Sequence, residues 1–248
     1  MFVRMRACLA VLSILFASAG PVYGRDPITV AVAANFARPL HEVKELYEQR
    51  TGTPVVVTVA SSGGLAAQLG NGAPYDLFLS ADLDRPAQLH TSNHCYEPFL
   101  YARGRVVFWS RKDTVRDMSS WQEAVRHTSM KRIAIANPKV APYGAAVFSL
   151  LDEVLPQGAR NRLIYGRNVA QTFQMAEAAI VDGAFTSMSF AVSPAGAEGR
   201  FWEVDEAEAV SQWGCINAAT DNMEATEEFV QLLKSSAGQN IIRTYGYN

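Results

Sequence analysis

The sequence predicts an α/β protein of two lobes, each a mainly parallel sheet flanked by helices, with a cleft between the lobes. Short β-rich runs alternate with helical runs along most of the chain, which is typical of layered sheets and helices. A second cycle of this alternation begins with the helix at 121–126, and 248 residues are enough for one large or two small domains with a sizeable core. The helices that end the chain need a sheet to cover, so we expect them to return to the first lobe.

The boundaries of the elements follow from the change between the two-residue period of strands and the 3.6-residue period of helices. The first strand covers residues 28–32, and the helix at 38–50 has its apolar residues on one face and ends at Gly52. A strand at 55–59 is followed by a turn at 61–64. The other expected strands are 76–80, 133–136 and 184–187, with a β-rich segment at 100–109, and the other expected helices are 65–69, 85–90, 121–126, 144–154, 170–181, 223–234 and 239–245.

These elements divide into a first lobe made of residues 25–102 and 214–248 and a second lobe made of residues 103–213. The chain would cross between the lobes near residues 100–104 and again near 210–216. We expect the two crossings to form a hinge.

Residues 1–24 have the pattern of a secretory signal peptide. Two arginines precede an apolar stretch at 7–17, and small residues offer cleavage points after Ala19 or Gly24. The stretch has about ten residues, whereas a membrane-spanning helix needs roughly 20. We therefore expect export to the periplasm.

The remaining chain is mildly acidic, because removal of residues 1–24 leaves 20 basic against 24 acidic side chains. Nucleic acid binding favours dense patches of Lys and Arg, and the sequence contains no run of basic residues. The composition therefore excludes nucleic acid as an expected partner. Any bound anion must be held by local groups.

Cysteine usage leaves two alternatives open. Cys8 lies in the predicted signal peptide, so Cys95 and Cys215 remain as an even pair in a compartment that permits disulfides. A disulfide needs a specific geometry that the spacing in the sequence does not supply. The alternative is that both are small buried apolar residues.

Four short segments share one design, in which a strand or turn delivers small or amide-bearing residues to the start of a helix. They are residues 33–36, 60–64, 141–144 and 166–170. The first N–H groups of a helix lack partners within the helix, and the aligned peptide dipoles place partial positive charge there. In open α/β sheets such junctions lie beyond the carboxyl ends of the strands. Each segment alone is more often an ordinary helix cap or turn, but several such helix starts that converge on one point would form an anion site.

Five longer motifs strengthen this interpretation. In chain order they are Val-Ala-Ala-Asn-Phe, Ala-Ser-Ser-Gly-Gly-Leu, Asn-Gly-Ala-Pro-Tyr-Asp-Leu-Phe-Leu-Ser-Ala-Asp, Ala-Asn-Pro-Lys-Val-Ala-Pro-Tyr-Gly-Ala-Ala and Gly-Arg-Asn-Val-Ala-Gln-Thr-Phe. Their order and spacing resemble the periplasmic molybdate-binding proteins of ABC importers, from about Ile28 to the C-terminal helix. The resemblance implies the two-lobed periplasmic binding protein fold, a molybdate or tungstate ligand, no cofactor, no catalysis and delivery of the anion to a membrane permease. We expect a monomer.

The resemblance also implies the residues that bind the ligand. In that family, hydroxyl and backbone N–H donors hold the oxyanion at the four junctions, and the matching residues here are Asn35, Ser62, Tyr143 and Val169. Some family members add a tyrosine hydroxyl from a later strand, where this chain has Thr186. Additional candidates are therefore Ala34, Ser61 and Thr186, and no residue is expected to ligate a metal cation. Gly64 departs from the pattern, because lysine is frequent there in the related branch.

The four segments contain neither Asp nor Glu. Molybdate at neutral pH is a dianion whose oxygens only accept hydrogen bonds, so each lining group should be a donor, and an unpaired carboxylate would repel it. Protonated phosphate would instead favour an acceptor. Sulfate differs from molybdate chiefly in size and stays open as an alternative.

Three other functions are less well supported. A serine hydrolase would need the Gly-x-Ser-x-Gly elbow, which the serine turn lacks, and the four histidines have no accompanying motif. A metal site at His90, His94 and Cys95 lacks an evident fourth ligand. A binding protein for a small organic acid would use an arginine, for which Arg167 is the nearest candidate.

Overall fold

The structure is a computed structural model that describes residues 26–155 and 159–248. The predicted signal peptide, residues 1–24, lies outside the described residues. The strands are β1 (Ile28–Ala33), β2 (Val55–Ala60), β3 (Leu77–Ser80), β4 (Phe99–Gly104), β5 (Val106–Ser110), β6 (Ile133–Ala136), β7 (Leu163–Gly166), β8 (Gly183–Ser187), β9 (Arg200–Glu203) and β10 (Val210–Ile216). The helices are α1 (Ala37–Thr51), α2 (Ser62–Gly70), α3 (Asp84–Thr91), α4 (Trp121–Arg126), α5 (Pro142–Phe148), α6 (Leu150–Val154), α7 (Val169–Glu177), α8 (Met188–Ala191), α9 (Met223–Lys234) and α10 (Ser236–Thr244).

Within the described residues the strands form two five-stranded sheets with the same plan. The first has the order β2-β1-β3-β10-β4 and the second the order β7-β6-β8-β5-β9. In each sheet four strands run in one direction, while β10 in the first and β5 in the second run antiparallel to their neighbours. The predicted two-lobed α/β architecture is confirmed.

The antiparallel strands are those that begin just after the chain changes lobe. The chain leaves the first sheet at Gly104 and enters the second at Val106, and it returns between Glu203 and Val210. Gly104 and Val210 are register partners in the β4–β10 pair, so the two crossings lie side by side. The predicted lobe boundaries at 102–103 and 213–214 fall within β4 and β10, respectively.

Helices cover both faces of the first sheet. Because side chains alternate across a strand, Val30 and Val32 pack towards α1, α9 and α10, while Ala31 packs towards α2 and α3. The C-terminal helices thus return to the first lobe. The second lobe has its own buried core, which includes Trp109 and Phe173 with ring centroids 5.0 Å apart.

Cys95 and Cys215 are free thiols, buried together beneath α2 and α3. A hydrogen bond with Cys95 and burial raise the pKa of the Cys215 thiol, so the group is protonated. In this structure the two cysteines therefore serve as small packed residues. Among the described residues, no helix combines the length and the apolarity needed to cross a membrane.

The helix boundaries correct two sequence-based expectations. The turn predicted at 61–64 is the first turn of α2, because the Ser61 hydroxyl accepts a hydrogen bond from Gly64 N–H and caps the helix. The single helix predicted at 144–154 begins at Pro142 and is interrupted at Ser149. Pro142 suits a first helical position, where no N–H is needed.

The segment predicted at 100–109 is two strands, and β7, β9, β10 and α8 were not predicted as elements. β10 contains Gln212 and Gly214, which interrupt an apolar pattern, yet Gln212 is fully buried. Gly214 is required because an added Cβ would lie 2.7 Å from the Phe99 ring. The local sequence pattern therefore does not predict β10, and tertiary contacts stabilise this strand.

Asp182 connects the start of β6 to the turn before β8. Its Oδ2 accepts hydrogen bonds from the backbone N–H groups of Lys131 and Arg132, each at 2.7 Å, and its Oδ1 lies 2.7 Å from Lys112 Nζ. Burial raises the pKa of Asp182, but these hydrogen bonds outweigh burial and hold the pKa below its ordinary value.

We expect Asp182→Asn to lower the free energy of unfolding at pH 7 by about 1–3 kcal/mol, because the N–H groups lose a charged acceptor. The folded-state pKa lies below the unfolded one, so the contribution is complete above about pH 4 and is lost as the pH falls through the folded-state pKa. Urea denaturation at several pH values measures this. Asp113→Asn, at an exposed carboxylate, is the control; a loss as large in the control contradicts the assignment.

Candidate ligand-binding site

The carboxyl ends of parallel strands from both sheets face one another across a small cavity. The first lobe contributes the ends of β1 and β2, and the second contributes the segments that follow β6 and β7. The lining residues are Ala33, Ala34, Asn35, Ser61, Ser62, Ala81, Ala141, Pro142, Tyr143, Asn168 and Val169. The structure therefore brings all four predicted segments together.

The cavity has a volume of about 10 Å³, which is space for about one water-sized sphere. Pockets for drug-sized organic ligands measure roughly 300–1,000 Å³. The space therefore suits a small ion better than a sugar or a peptide. Its lining contains no Asp, Glu, Lys, Arg or His, so any charge selectivity arises from neutral groups.

Helix starts supply those neutral groups. α2 begins at Ser62, α5 at Pro142 and α7 at Val169, and a short 3-10 turn at Ala34–Phe36 follows β1. The N–H groups of a first turn have no partner within their own helix. Their convergence creates positive potential without a formal charge.

Ser62 is oriented as a hydrogen-bond donor. The backbone N–H of Ala81 donates to Ser62 Oγ at 3.0 Å, so the oxygen already accepts and its proton is left for another partner. The side chain is 1% exposed and borders the cavity. Ser61, by contrast, uses its oxygen to cap α2.

The side chain of Asn35 does not donate a hydrogen bond into the cavity. Its amide Nδ2 donates to Gln212 Oε1 at 2.7 Å and to Tyr247 Oη at 3.1 Å. Both amide hydrogens thus have protein acceptors. The groups that this segment can offer to a ligand are therefore the main-chain N–H groups of the 3-10 turn, which include those of Ala34 and Asn35.

Tyr143 lines the cavity, and its hydroxyl lies beside Asn35 and Gly104. Tyr143 Oη lies 3.5 Å from Asn35 Nδ2, and a Cβ added at Gly104 would come within 2.0 Å of this oxygen. Burial raises the pKa of Tyr143 well above 10, so the phenol stays neutral. Because Tyr143 lies in the first turn of α5, it can also offer its backbone N–H to a ligand.

Val169 is the first residue of α7, and Asn168 caps the helix by accepting from Gln171 N–H at 3.0 Å. Thr186, which the sequence offered as an additional donor, instead bonds the Val169 carbonyl through its Oγ1 at 3.2 Å. Thr186 is fully buried and is not part of the cavity lining. Its geometry supports a role in holding α7 rather than contact with a ligand.

The two lobes are closed around the cavity. Gly63 N–H donates to Val140 O at 3.0 Å, and Arg85 Nη2 donates to Lys139 O at 3.2 Å, so both bonds join the first lobe to the second. A larger open groove of about 920 Å³ lies beside the cavity. Its lining includes the acidic residues Asp82, Asp84, Glu206 and Glu208, which disfavour an anionic ligand there.

The residues of the alternative functions lie elsewhere. Nδ1 of His90 contacts the Cys95 carbonyl at 3.0 Å, and no group of three His, Cys, Asp or Glu residues among the described residues is arranged to hold a metal ion. Arg167 is exposed and does not line the cavity. Neither alternative therefore gains support from the structure.

Comparisons with known proteins agree with this geometry. A family model described as bacterial extracellular solute-binding protein matches residues 28–248. The molybdate-binding protein ModA of Azotobacter vinelandii is 31% identical over 226 residues, which cover 89% of each chain. The ModA of Rhodobacter capsulatus is 30% identical over 248 residues, or 98% of this chain and 96% of the relative.

Solved structures give the same result. The periplasmic molybdate-binding protein of Azotobacter vinelandii superposes with a TM-score of 0.83 at 29% identity, covering 89% of this chain and 98% of that one. The sulfate-binding protein SubI of Mycobacterium tuberculosis H37Rv superposes with a TM-score of 0.73 at 13% identity, covering 90% and 86%. The second likeness shows a shared fold alone.

The packing of Tyr143 against Gly104 gives a stability prediction. We expect Gly104→Ala to lower the free energy of unfolding by about 1–3 kcal/mol, because the new methyl group overlaps the Tyr143 hydroxyl. Tyr143→Phe removes that oxygen, so the double variant should recover part of the loss. Chemical denaturation of the four proteins in a double-mutant cycle measures the coupling, and purely additive losses would show that the two groups do not clash.

Proposed function

The chain belongs to the bacterial extracellular solute-binding proteins, and from that premise we propose that it captures molybdate or tungstate and delivers the anion to an ABC importer. The observation that carries the proposal is the convergence of four neutral donor segments on one small cavity. The relatives named as molybdate-binding proteins support the choice of ligand.

The donor set fits a fully deprotonated tetrahedral anion. Ser62 presents a hydroxyl proton, and the helix starts that include Tyr143 and Val169 present main-chain N–H groups. A dianion accepts from all of them, whereas protonated phosphate needs an acceptor that the lining does not offer. Sulfate satisfies the same donors, so discrimination between sulfate and molybdate depends on the size of the cavity.

A binding role is favoured over a catalytic one. A hydrolase needs a nucleophile activated by a neighbouring base, and the cavity lining contains no His, Asp, Glu, Lys or Cys to act as that base. The Ser62 hydroxyl accepts from a backbone N–H and has no base at its proton. The site is therefore suited to hold an anion unchanged and to release it.

Export and delivery complete the proposal. The signal peptide at residues 1–24 would direct the chain to the periplasm, where a monomer would bind the anion between its lobes. Closure about the crossings would bring the donor segments together, and the closed form would be the one that the membrane permease recognises.

Titration of the purified protein with molybdate, tungstate, sulfate, phosphate and citrate tests the proposal. We expect molybdate or tungstate to bind with one-to-one stoichiometry in calorimetry and more tightly than the other three ligands. Trp213 lines the groove between the lobes, so tryptophan emission should report closure. Preferential binding of citrate would indicate an organic-acid protein, and the absence of binding to any oxyanion would contradict the proposal.

Ser62→Ala should weaken molybdate binding by about 1–3 kcal/mol, because it removes one donor from a buried site. Ser110→Ala is a matched control: Ser110 is also buried, but its hydroxyl donates to Asp182 O at 2.7 Å within the second lobe. Calorimetry on both variants makes the comparison. Unchanged affinity in Ser62→Ala would remove Ser62 from the contacts.

A further inference from the structure

A buried polar cluster lies directly behind the cavity and is centred on Asn35. Its members are Asn35, Ser189, Gln212 and Tyr247, all 2% exposed or less, and we call them the Asn35 cluster. They come from separate parts of the chain: the end of β1, helix α8 of the second lobe, the crossing strand β10 and the C-terminal residues after α10. None of these partners borders the cavity itself.

Two hydroxyl groups fix the main chain of Asn35. Ser189 Oγ and Tyr247 Oη each donate to the Asn35 carbonyl at 2.7 Å. A carbonyl oxygen has two lone pairs, so the two donors saturate it and set the plane of the peptide between Asn35 and Phe36. Burial raises the pKa of Tyr247 to about 12, so its phenol is a neutral donor at neutral pH.

Gln212 fixes the side chain of Asn35. Its Nε2 donates to Val210 O at 2.6 Å, which turns Oε1 towards Asn35 Nδ2 at 2.7 Å. The ladder between β10 and β4 shifts register between Gln212 and Trp213. Such an irregularity redirects a side chain, and here it accompanies a fully buried glutamine on the crossing strand.

We infer that Ser189, Gln212 and Tyr247 are positioning residues that hold the Asn35 turn at the cavity, and that Ser189 couples this turn to closure of the lobes. Tyr247 and Gln212 approach Asn35 from the first lobe and the hinge, so their contacts persist when the lobes separate. The Ser189 contact joins the second lobe to the first and is lost on opening. The inference rests on the proposed function, because it names the residues that set affinity at that same site.

The geometry gives Ser189 and Tyr247 different kinetic roles. Loss of the Ser189 hydroxyl removes a bond that only the closed state makes, so ligand release should accelerate while association is unchanged. Loss of the Tyr247 hydroxyl loosens the Asn35 turn in both the open and the closed state. Ligand affinity should therefore fall through slower association, faster dissociation or both. A residue with a merely structural role would lower thermal stability and leave both rate constants unchanged.

Ser189→Ala tests the coupling, with Ser193→Ala as the matched control. Ser193 is also buried, and its hydroxyl donates to Phe190 O at 2.6 Å within the second lobe. Stopped-flow tryptophan fluorescence with molybdate should show a dissociation rate about tenfold higher in Ser189→Ala, as expected for one buried hydrogen bond, and no change in the control. Equal rates in wild type and Ser189→Ala would overturn the coupling.

Tyr247→Phe tests the positioning role, with Tyr101→Phe as the matched control. Both rings pack edge-on against Phe36, with centroids 5.3 Å and 4.8 Å away, and the Tyr101 hydroxyl donates to Ser80 O at 3.2 Å. We expect both variants to lose similar thermal stability, but only Tyr247→Phe to lose molybdate affinity, by about tenfold. Similar affinities in the two variants would overturn the positioning role.

Gln212→Leu extends the test to the third residue, and Gln239→Leu is its control because Gln239 donates to Tyr101 O and Leu233 O away from the cavity. Gln212→Leu should lower molybdate affinity more than the control does, and an equal effect would remove Gln212 from the set.

The outcomes for the inference and for the proposed function are distinct. If the wild-type protein fails to bind molybdate or tungstate, the proposed function fails. If the wild-type protein binds and each variant behaves as its control, the inference alone fails.

Discussion

The structure depends on one constraint: a main-chain N–H group that is buried without an acceptor destabilises the protein. The closed lobes bury the starts of α2, α5 and α7 around one cavity, and the first-turn N–H groups there have no acceptor within their own helices. In the proposed complex, a small anion in the cavity would supply acceptors for those N–H groups. Ligand binding and closure would then stabilise each other, which is the coupling that a capture and release protein needs.

The parallel strands explain why these helix starts meet. In each sheet the strands that run in one direction deliver their carboxyl ends, and hence the following helix starts, to the same edge. The two sheets share one plan, and the adjacent crossings at Gly104 and Val210 set their edges opposite each other. The cavity lining carries no charged side chain, so the attraction for an anion there would come from the partial positive charge of the helix starts.

The sequence allowed much of the architecture to be predicted, because the elements with a strong apolar period form where the period indicates. The four segments that line the cavity were also predicted, since small and amide-bearing residues at strand-to-helix junctions can be recognised in the local sequence. The hydrogen-bond partners of Asn35 were not predicted. Gln212, Ser189 and Tyr247 lie 177, 154 and 212 residues further along the chain, and only the fold brings them together. The position of the Tyr143 hydroxyl could not be predicted from the sequence either, because it depends on the close approach to Gly104.

A crystal structure of the protein with molybdate, with the metal located by anomalous scattering, tests the central claim most directly. We predict a single molybdenum peak in the cavity, with oxyanion oxygens at about 2.7–3.2 Å from the Ser62 hydroxyl and from main-chain N–H groups of the other three segments. A peak in the acidic groove, or an anion held by lysine or arginine side chains, would contradict it.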